Sequence, residues 1–160
     1  MDRPDPAADV VAALTARGQL LATAESLTGG LLGAAITAVP GASEAYVGGV
    51  VAYATAMKHR LAGVDADVLA AQGPVSQSTA IALATGVRAA TGADWAVATT
   101  GVAGPAAQDG HEPGEVWVGL AGPDAAARAV RLDLSGDRAA IREAAVVAAL
   151  GLLAEALAGE

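Results

Sequence analysis

The chain has 160 residues and no cysteine, so disulfides, thiolate catalysis and sulfur-ligated metal sites are excluded. A net charge of −8, with two Trp, two Tyr and no Phe, argues against a nucleic-acid ligand, because polyanions are repelled and bases find few stacking surfaces. The longest apolar stretches, residues 31–40 and 144–154, are too short to span a bilayer, and residues 1–5 show no secretory signal.

Helical and strand-like patterns alternate along the chain, which is typical of an α/β domain. In chain order, the predicted elements are a helix from Asp5-Pro6 to Gly18, a strand over 19–24, a helix from 28 to 40, a strand over 46–53, a helical segment around Lys58, a helix from Ser76 to Gly92, strands over 95–99, 115–121 and 129–134, and a final helix capped by Ser135. The last two strands would form an antiparallel hairpin. We therefore expect a single three-layer α/β/α domain over residues 1–160, with a mixed, mostly parallel sheet, in the cytoplasm.

Ser26 follows the first predicted strand and precedes Thr28-Gly29-Gly30, which opens the second helix. Side chains at such a junction lie at the carboxyl edge of the sheet, where open α/β sheets bind their ligands. Glycines there allow close approach to the backbone, and free N–H groups can stabilise an oxyanion. The segment predicts a nucleophile or, alternatively, a simple helix N-cap hydroxyl.

Lys58 is the only lysine, against eight arginines. A buried lysine can lose its proton near neutral pH and act as a base for a hydroxyl nucleophile, whereas arginine stays charged. Tyr53 ends the preceding predicted strand and could hold or relay a proton between lysine and serine. The alternative is an exposed tyrosine and a solvated surface lysine.

Residues 99–105 (TTGVAGP) follow another predicted strand. Hydroxyls and glycines at this edge can line a pocket, and Thr100 is the candidate to contact a substrate. The segment lacks the Gly-Lys-Ser/Thr ending of a P-loop and the Gly-x-Gly-x-x-Gly dinucleotide fingerprint. An ordinary tight turn is the alternative.

Arg138 falls in the first turn of the final predicted helix, where the helix dipole disfavours a cation. An anionic ligand bound there would explain it, because arginine and free helix N–H groups would both serve that ligand. The alternative is local pairing with Asp137. His59 and His111 lack the spacing of metal ligands, and no metal is expected.

Ala24-Glu25-Ser26-x-Thr28-Gly29-Gly30, residues 101–105 (GVAGP) and residues 135–138 (SGDR) resemble motifs of the carboxy-terminal domain family of the competence/damage-inducible protein CinA. The resemblance extends over residues 10–157 and looks like the stand-alone form, without the nucleotide-processing domain of longer relatives. Characterised members of the family include nicotinamide mononucleotide deamidases. The resemblance therefore implies hydrolysis of the carboxamide of nicotinamide mononucleotide to nicotinate mononucleotide and ammonia, without metal or cofactor.

The resemblance implies that Ser26 is the nucleophile and Lys58 its base, with Tyr53 and Thr100 as further catalytic residues. Substrate-binding residues are expected at Glu25, Thr28, Gly29, Gly30, Gly101, Gly104 and Arg138. The N–H groups near Gly29 and Gly30 would hold the oxyanion, and Arg138 a phosphate. The sequence leaves open whether the Glu25 carboxylate faces Lys58, points away or positions the amide.

The sequence departs from the family pattern at three places. Leu27 replaces a common cysteine, residues 54–57 lack the usual Ser-Asn pair, and Ala106-Ala107 replace frequent glycines. Two alternatives to an active amidase follow: a nucleotide-binding member without catalysis, or an interaction protein that assembles through its alanine-rich last helix. That helix also favours a homodimer or higher homo-oligomer, while a membrane partner is not expected.

Overall fold

The computed structural model describes residues 4–159, so residues 1–3, on which the absence of a secretory signal was partly judged, lie outside it. The predicted helices and strands occur in the predicted order within this range. The elements are α1 (Pro6–Arg17), β1 (Leu21–Glu25), α2 (Leu31–Thr37), a 3₁₀ turn (Ala42–Glu44), β2 (Tyr46–Val51), α3 (Thr55–Ala62), α4 (Ala66–Gln72), α5 (Gln77–Thr91), β3 (Trp95–Gly101), β4 (Glu115–Ala121), β5 (Arg128–Asp133) and α6 (Arg138–Ala158).

The five strands of the described chain form one mixed sheet in the order β2-β1-β3-β4-β5. Strand β1 pairs in parallel with β2 and β3, and the predicted hairpin supplies two antiparallel pairings, β3 with β4 and β4 with β5. Because β5 is antiparallel to β4, it runs in the same direction as β1, β2 and β3. Only β4 is reversed among these strands, which confirms the mixed, mostly parallel sheet.

Helices cover both faces of the sheet. Helices α1, α2 and α6 pack on one face, and α5 packs on the other with α3 and α4 against it. Alternate residues of each central strand enter the two cores, because successive side chains in a strand point to opposite faces. Leu21 and Val97 thus join the first core, whereas Ala22 and Ala96 join the second. The three-layer α/β/α prediction is confirmed.

Small residues in the second core let α5 approach the sheet closely. A Cβ at Gly119 of β4 would fall 2.1 Å from the carbonyl oxygen of Ala80, a distance that packed atoms do not allow. Helix α5 can therefore lie directly on the strands. Helix α3, which carries Lys58, packs in turn on α5.

Two of the predicted helix caps are confirmed and one is wrong. Asp5 accepts a hydrogen bond from the Ala7 N–H at 3.0 Å, and Ser76 accepts one from Thr79 at 3.1 Å. The cap of α6 is Asp137, which accepts from the Ala140 N–H at 2.9 Å, and not Ser135. A carboxylate binds the positive end of the helix dipole better than a hydroxyl, which explains the shift.

One element was not anticipated. Helix α4 begins after Asp65, whose carboxylate accepts from the Asp67 N–H at 2.8 Å, and the chain then turns at Gly73-Pro74. No helix between residues 4 and 159 is both long enough and apolar enough to cross a membrane.

Candidate active site

Ser26 and Lys58 meet where β1 ends. The Ser26 N–H donates to the Thr99 carbonyl at 3.0 Å, which extends the β1–β3 pairing by one residue and places Ser26 at the carboxyl edge of the sheet. Lys58 projects from α3, and its Nζ lies 2.9 Å from Ser26 Oγ. A hydroxyl and an amine at this distance have the geometry of a nucleophile and its base.

The Lys58 amine is buried, with 2% of the residue exposed, and it is not the solvated side chain that the sequence allowed. Besides Ser26, Nζ donates to the carbonyls of Ala52 at 2.9 Å and Tyr53 at 3.0 Å. Burial lowers the pKa of Lys58 to about 8. A neutral amine has two N–H bonds and one lone pair, so it can keep both carbonyl contacts and accept the Ser26 hydroxyl proton.

Glu25 lies next to Ser26 in sequence, but its carboxylate forms hydrogen bonds on the opposite face of the sheet. Its Oε1 accepts from the N–H groups of Gly30 at 3.1 Å and Leu32 at 2.8 Å, and its Oε2 from that of Gly33 at 3.0 Å. Glu25 therefore caps the N-terminus of α2, a favourable place for a carboxylate. It does not line the cavity beside Ser26.

Thr28 belongs to the same buried network as Glu25. Its hydroxyl donates to Glu25 Oε1 at 2.7 Å and lies 2.8 Å from Thr99 Oγ1. Since Thr28 has one hydroxyl proton and gives it to Glu25, Thr99 must be the donor of the second bond. The structure thus places Thr28 in the support of the turn and not on the cavity wall.

The expected oxyanion donors, Gly29 and Gly30, are already engaged. The Gly29 N–H donates to the Ser26 carbonyl at 3.0 Å, and the Gly30 N–H donates to Glu25. The N–H of Leu27, the residue after the candidate nucleophile, has no acceptor within residues 4–159. Leu27 also lines the cavity, so its N–H replaces those of Gly29 and Gly30 as the candidate oxyanion donor.

A cavity of about 340 Å³ opens beside Ser26 and Lys58. Tyr53 and Arg138 form part of its wall, and Arg138 Nη2 donates to the Tyr53 hydroxyl at 3.2 Å. The phenol thus bonds to Arg138, and it is the Tyr53 backbone carbonyl that contacts Lys58. Arg138 also donates to the Gly104 carbonyl at 2.7 Å, and Asp137 is occupied as the α6 cap, so the predicted alternative of Asp137 pairing is not found.

Thr100, Gly101 and Gly104 line the cavity on its third side. The Thr100 hydroxyl donates to the Pro74 carbonyl at 2.5 Å, so its oxygen can still accept a hydrogen bond from a ligand. A Cβ at Gly101 would lie 2.5 Å from the Glu115 carbonyl oxygen, which explains the glycine at this close contact with β4.

The structure adds residues that the sequence reasoning missed. The following also line the cavity: Thr55, Pro74, Val75, Val102, Ala103 and Gln108. Pro74 and Val75 follow α4, the helix that was not anticipated, so no sequence signal linked them to Ser26. Arg142, which contacts the turn after Ser26, could have been found from its position four residues after Arg138 on one helix face.

Similar proteins indicate one family. Residues 4–157 match the CinA C-terminal domain family. A CinA-like protein from Frankia casuarinae is 52% identical over 151 residues, which cover 94% of this chain and 34% of the relative. A CinA-like protein from Anaeromyxobacter sp. is 51% identical over 149 residues, covering 92% of this chain and 36% of the relative.

Solved structures agree. A crystal structure of a competence-damaged protein (CinA) superfamily protein from Klebsiella pneumoniae matches with a TM-score of 0.93 at 35% identity, covering 99% of this chain and 100% of that chain. A competence/damage inducible protein from Agrobacterium tumefaciens gives a TM-score of 0.90 at 31% identity, covering 99% and 98%. This chain therefore belongs to the CinA C-terminal domain family. It spans about a third of the length of the curated relatives named above.

Proposed function

We propose that the chain hydrolyses the carboxamide of nicotinamide mononucleotide to nicotinate mononucleotide and ammonia, in pyridine nucleotide recycling. The observation that carries the proposal is the 2.9 Å contact between Ser26 Oγ and the buried Nζ of Lys58, beside a cavity. No carboxylate within residues 4–159 pairs with Lys58, so nothing of opposite charge holds its proton. The substrate comes from the activity that the family resemblance implies.

The first half of the reaction forms an acyl-enzyme. Neutral Lys58 takes the Ser26 hydroxyl proton as Ser26 Oγ bonds to the carboxamide carbon. The developing oxyanion accepts a hydrogen bond from the Leu27 N–H. Lys58 then gives the proton to the amide nitrogen, the C–N bond breaks, and ammonia leaves with Ser26 esterified to the nicotinate group.

The second half releases the acid. A water gives a proton to Lys58, which ammonia departure has left neutral, and its oxygen bonds to the ester carbon. The ester C–O bond breaks as Lys58 returns the proton to Ser26 Oγ. Nicotinate mononucleotide leaves, and the amine and hydroxyl regain their starting states without metal or cofactor.

The cavity walls fit the two ends of a mononucleotide. Thr100 can accept a hydrogen bond from the carboxamide NH₂, a contact that the carboxylate product cannot make. Arg138 supplies the guanidinium for the phosphate, since it lines the cavity without an ion pair among residues 4–159. A volume of about 340 Å³ lies in the range of small-molecule pockets.

Ammonia release from nicotinamide mononucleotide, compared with other pyridine carboxamides, tests the proposal. Ser26→Ala should lower kcat by about 10³-fold or more with the fold unchanged, because alanine has no oxygen to form the ester. Ser43→Ala, which changes an exposed serine in the 3₁₀ turn, is the matched control and should keep full activity. Full activity of Ser26→Ala would show that the nucleophile is wrong.

A binding protein without catalysis would give a different result. Wild type would then be stabilised thermally by the mononucleotide, as ligands that bind the folded state do, and would release no ammonia. An assembly protein would show neither effect. Thermal stabilisation of Ser26→Ala together with ammonia release by wild type is the outcome expected for the enzyme.

A further inference from the structure

Arg142 contacts the turn that carries Ser26, although it does not line the cavity. This nucleophile turn, residues 26–30, presents two buried carbonyls to α6. Arg142 Nε donates to the Leu27 carbonyl at 2.9 Å, and Nη2 lies 3.3 Å from that of Thr28. The Leu27 carbonyl has no other donor within residues 4–159, and a buried carbonyl without a partner is costly.

Gly29 lies directly beneath this contact. Its φ of +56° is a left-handed conformation that favours glycine, and a Cβ there would lie 3.3 Å from Arg142 Nη2. The glycine therefore turns the chain and also leaves space for the guanidinium. A close approach of arginine to the backbone is built into the nucleophile turn.

The two peptide groups that follow Ser26 are each held at their carbonyl end. The Ser26 carbonyl accepts from the Gly29 N–H, and the Leu27 carbonyl accepts from Arg142. In a planar trans peptide the C=O and N–H point in opposite directions, so holding one end orients the other. The Leu27 N–H, which has no acceptor within residues 4–159, belongs to the first of these peptides, whereas Arg142 holds the second. The two peptides join at the Leu27 Cα, so holding the second restricts the backbone torsions that aim the Leu27 N–H.

We infer that Arg142 is a positioning residue that fixes the nucleophile turn so that the Leu27 N–H faces the reacting oxyanion. The inference rests on the proposed function, because it assigns Arg142 to the same acyl transfer. Arg142 acts only through the backbone, since its hydrogen bonds among residues 4–159 go to carbonyls and none goes to Ser26 Oγ or Lys58. It differs in this from Arg138, one helical turn earlier, which lines the cavity itself.

Steady-state ammonia release by Arg142→Gln and Arg142→Lys tests the inference. Arg142→Gln should lower kcat by about 10- to 100-fold with KM within about threefold, somewhat less than the loss of an oxyanion donor itself. Arg142→Lys should recover most of kcat, because one ammonium can still hold the Leu27 carbonyl.

Arg88→Gln is the matched control. Arg88 Nε donates to the Asp94 carbonyl at 2.7 Å, a bond of the same kind at the start of β3, away from the cavity. This variant should lower the melting temperature and leave kcat unchanged. All variants are assayed well below their melting temperatures, so that the folded forms are compared.

Equal kcat values for Arg142→Gln and Arg88→Gln would overturn the inference and leave the proposed function intact. A raised KM with unchanged kcat would also overturn it, by making Arg142 a substrate contact. If wild type hydrolyses no carboxamide, the proposed function fails. The inference is then tested by the rate at which phenylmethylsulfonyl fluoride labels Ser26, measured by mass spectrometry. A fall of about tenfold in Arg142→Gln but not in Arg88→Gln supports it, whereas equal rates, or an unlabelled wild type, overturn it.

Discussion

Adjacent residues at the ends of β1 and β3 lie on opposite faces of the sheet and form two polar clusters. The clusters differ in how many hydrogen-bonding groups remain without a partner among the described residues. The α2-side cluster (Glu25, Thr28 and Thr99) is closed, because its hydroxyl protons and carboxylate oxygens are all engaged with one another or with the N-terminus of α2. The α3-side cluster (Ser26, Lys58 and Thr100) borders a cavity.

The α3-side cluster keeps capacity that the α2-side cluster has spent. Neutral Lys58 can accept a proton, Thr100 can accept a hydrogen bond, and the nearby Leu27 N–H has no acceptor within the described residues. Polar residues at the carboxyl edge of a sheet are thus not equivalent. The closed cluster holds the turn in place, whereas the open one has groups left for a ligand.

The largest expected difference between the clusters concerns Lys58. Lys58→Arg keeps the positive charge but removes the proton acceptor, so kcat for ammonia release should fall by about 10³-fold, within the range of general base catalysis. Lys58→Met, which lacks both charge and base, should fall as far. Arg60→Lys makes the reverse exchange at an exposed position on the same helix and should keep wild-type kcat.

The role of Lys58 as a base also predicts how activity depends on pH. Because burial lowers the pKa of Lys58 to about 8, the ammonium predominates below that pH and the active neutral amine above it. The kcat/KM of wild type should rise about tenfold per pH unit below 8 and level off above it. A profile that is flat between pH 6 and 9 would contradict the role of Lys58 as base.

The elements that carry the site could be predicted from the sequence, because strand–helix junctions and helix caps have local sequence signals. The placement of Ser26 at the end of the first strand, and of Lys58 on the helix after the second strand, needed only the alternating pattern. The burial of Lys58 did not follow from it, since Lys58 lies on α3, which packs on α5 so closely that a Cβ at Gly86 would fall 1.6 Å from the Ala62 carbonyl oxygen. Local sequence does not encode such a tertiary contact.

The direction of neighbouring side chains could not be predicted either. Glu25, Thr28 and the glycines stood beside Ser26 in one motif, so the sequence grouped them as a single site. Strand alternation divides them, because it sends Glu25 to one face and Ser26 to the other. The Gly29 and Gly30 N–H groups are not free for a ligand, because the first donates within the turn to the Ser26 carbonyl and the second donates to Glu25 in the α2-side cluster.

The next largest expected effect is on the free energy of unfolding, and it concerns the α2-side cluster. Glu25→Gln replaces an oxygen that accepts from the Gly33 N–H with an NH₂ group that cannot, and it removes the charge at the start of α2. The free energy of unfolding should fall by about 2–3 kcal/mol, the scale of buried hydrogen bonds to charged groups. Denaturant melts measure this loss, with the exposed Glu44→Gln as the matched control.

The activity of Glu25→Gln tests whether this carboxylate also contributes to catalysis. At a temperature where the variant is folded, kcat should stay within about threefold of wild type, because the Glu25 carboxylate bonds to neither Ser26 Oγ nor Lys58 Nζ. A loss of kcat by about 10²-fold with unchanged stability would make Glu25 a substrate-binding residue after all. The division into a closed and an open cluster would then be wrong.

The smallest effect separates the two neighbours on β3. Thr99→Val removes one bond to Thr28 and should cost about 1 kcal/mol of unfolding free energy, with kcat/KM unchanged. Thr100→Val has a similar cost, because the Pro74 carbonyl loses its donor, but it also removes the acceptor for the carboxamide NH₂ and should lower kcat/KM about tenfold. The two substitutions are identical in chemistry and adjacent in sequence, so only the face of the sheet distinguishes them. Equal kcat/KM values for the two variants would place the carboxamide away from Thr100.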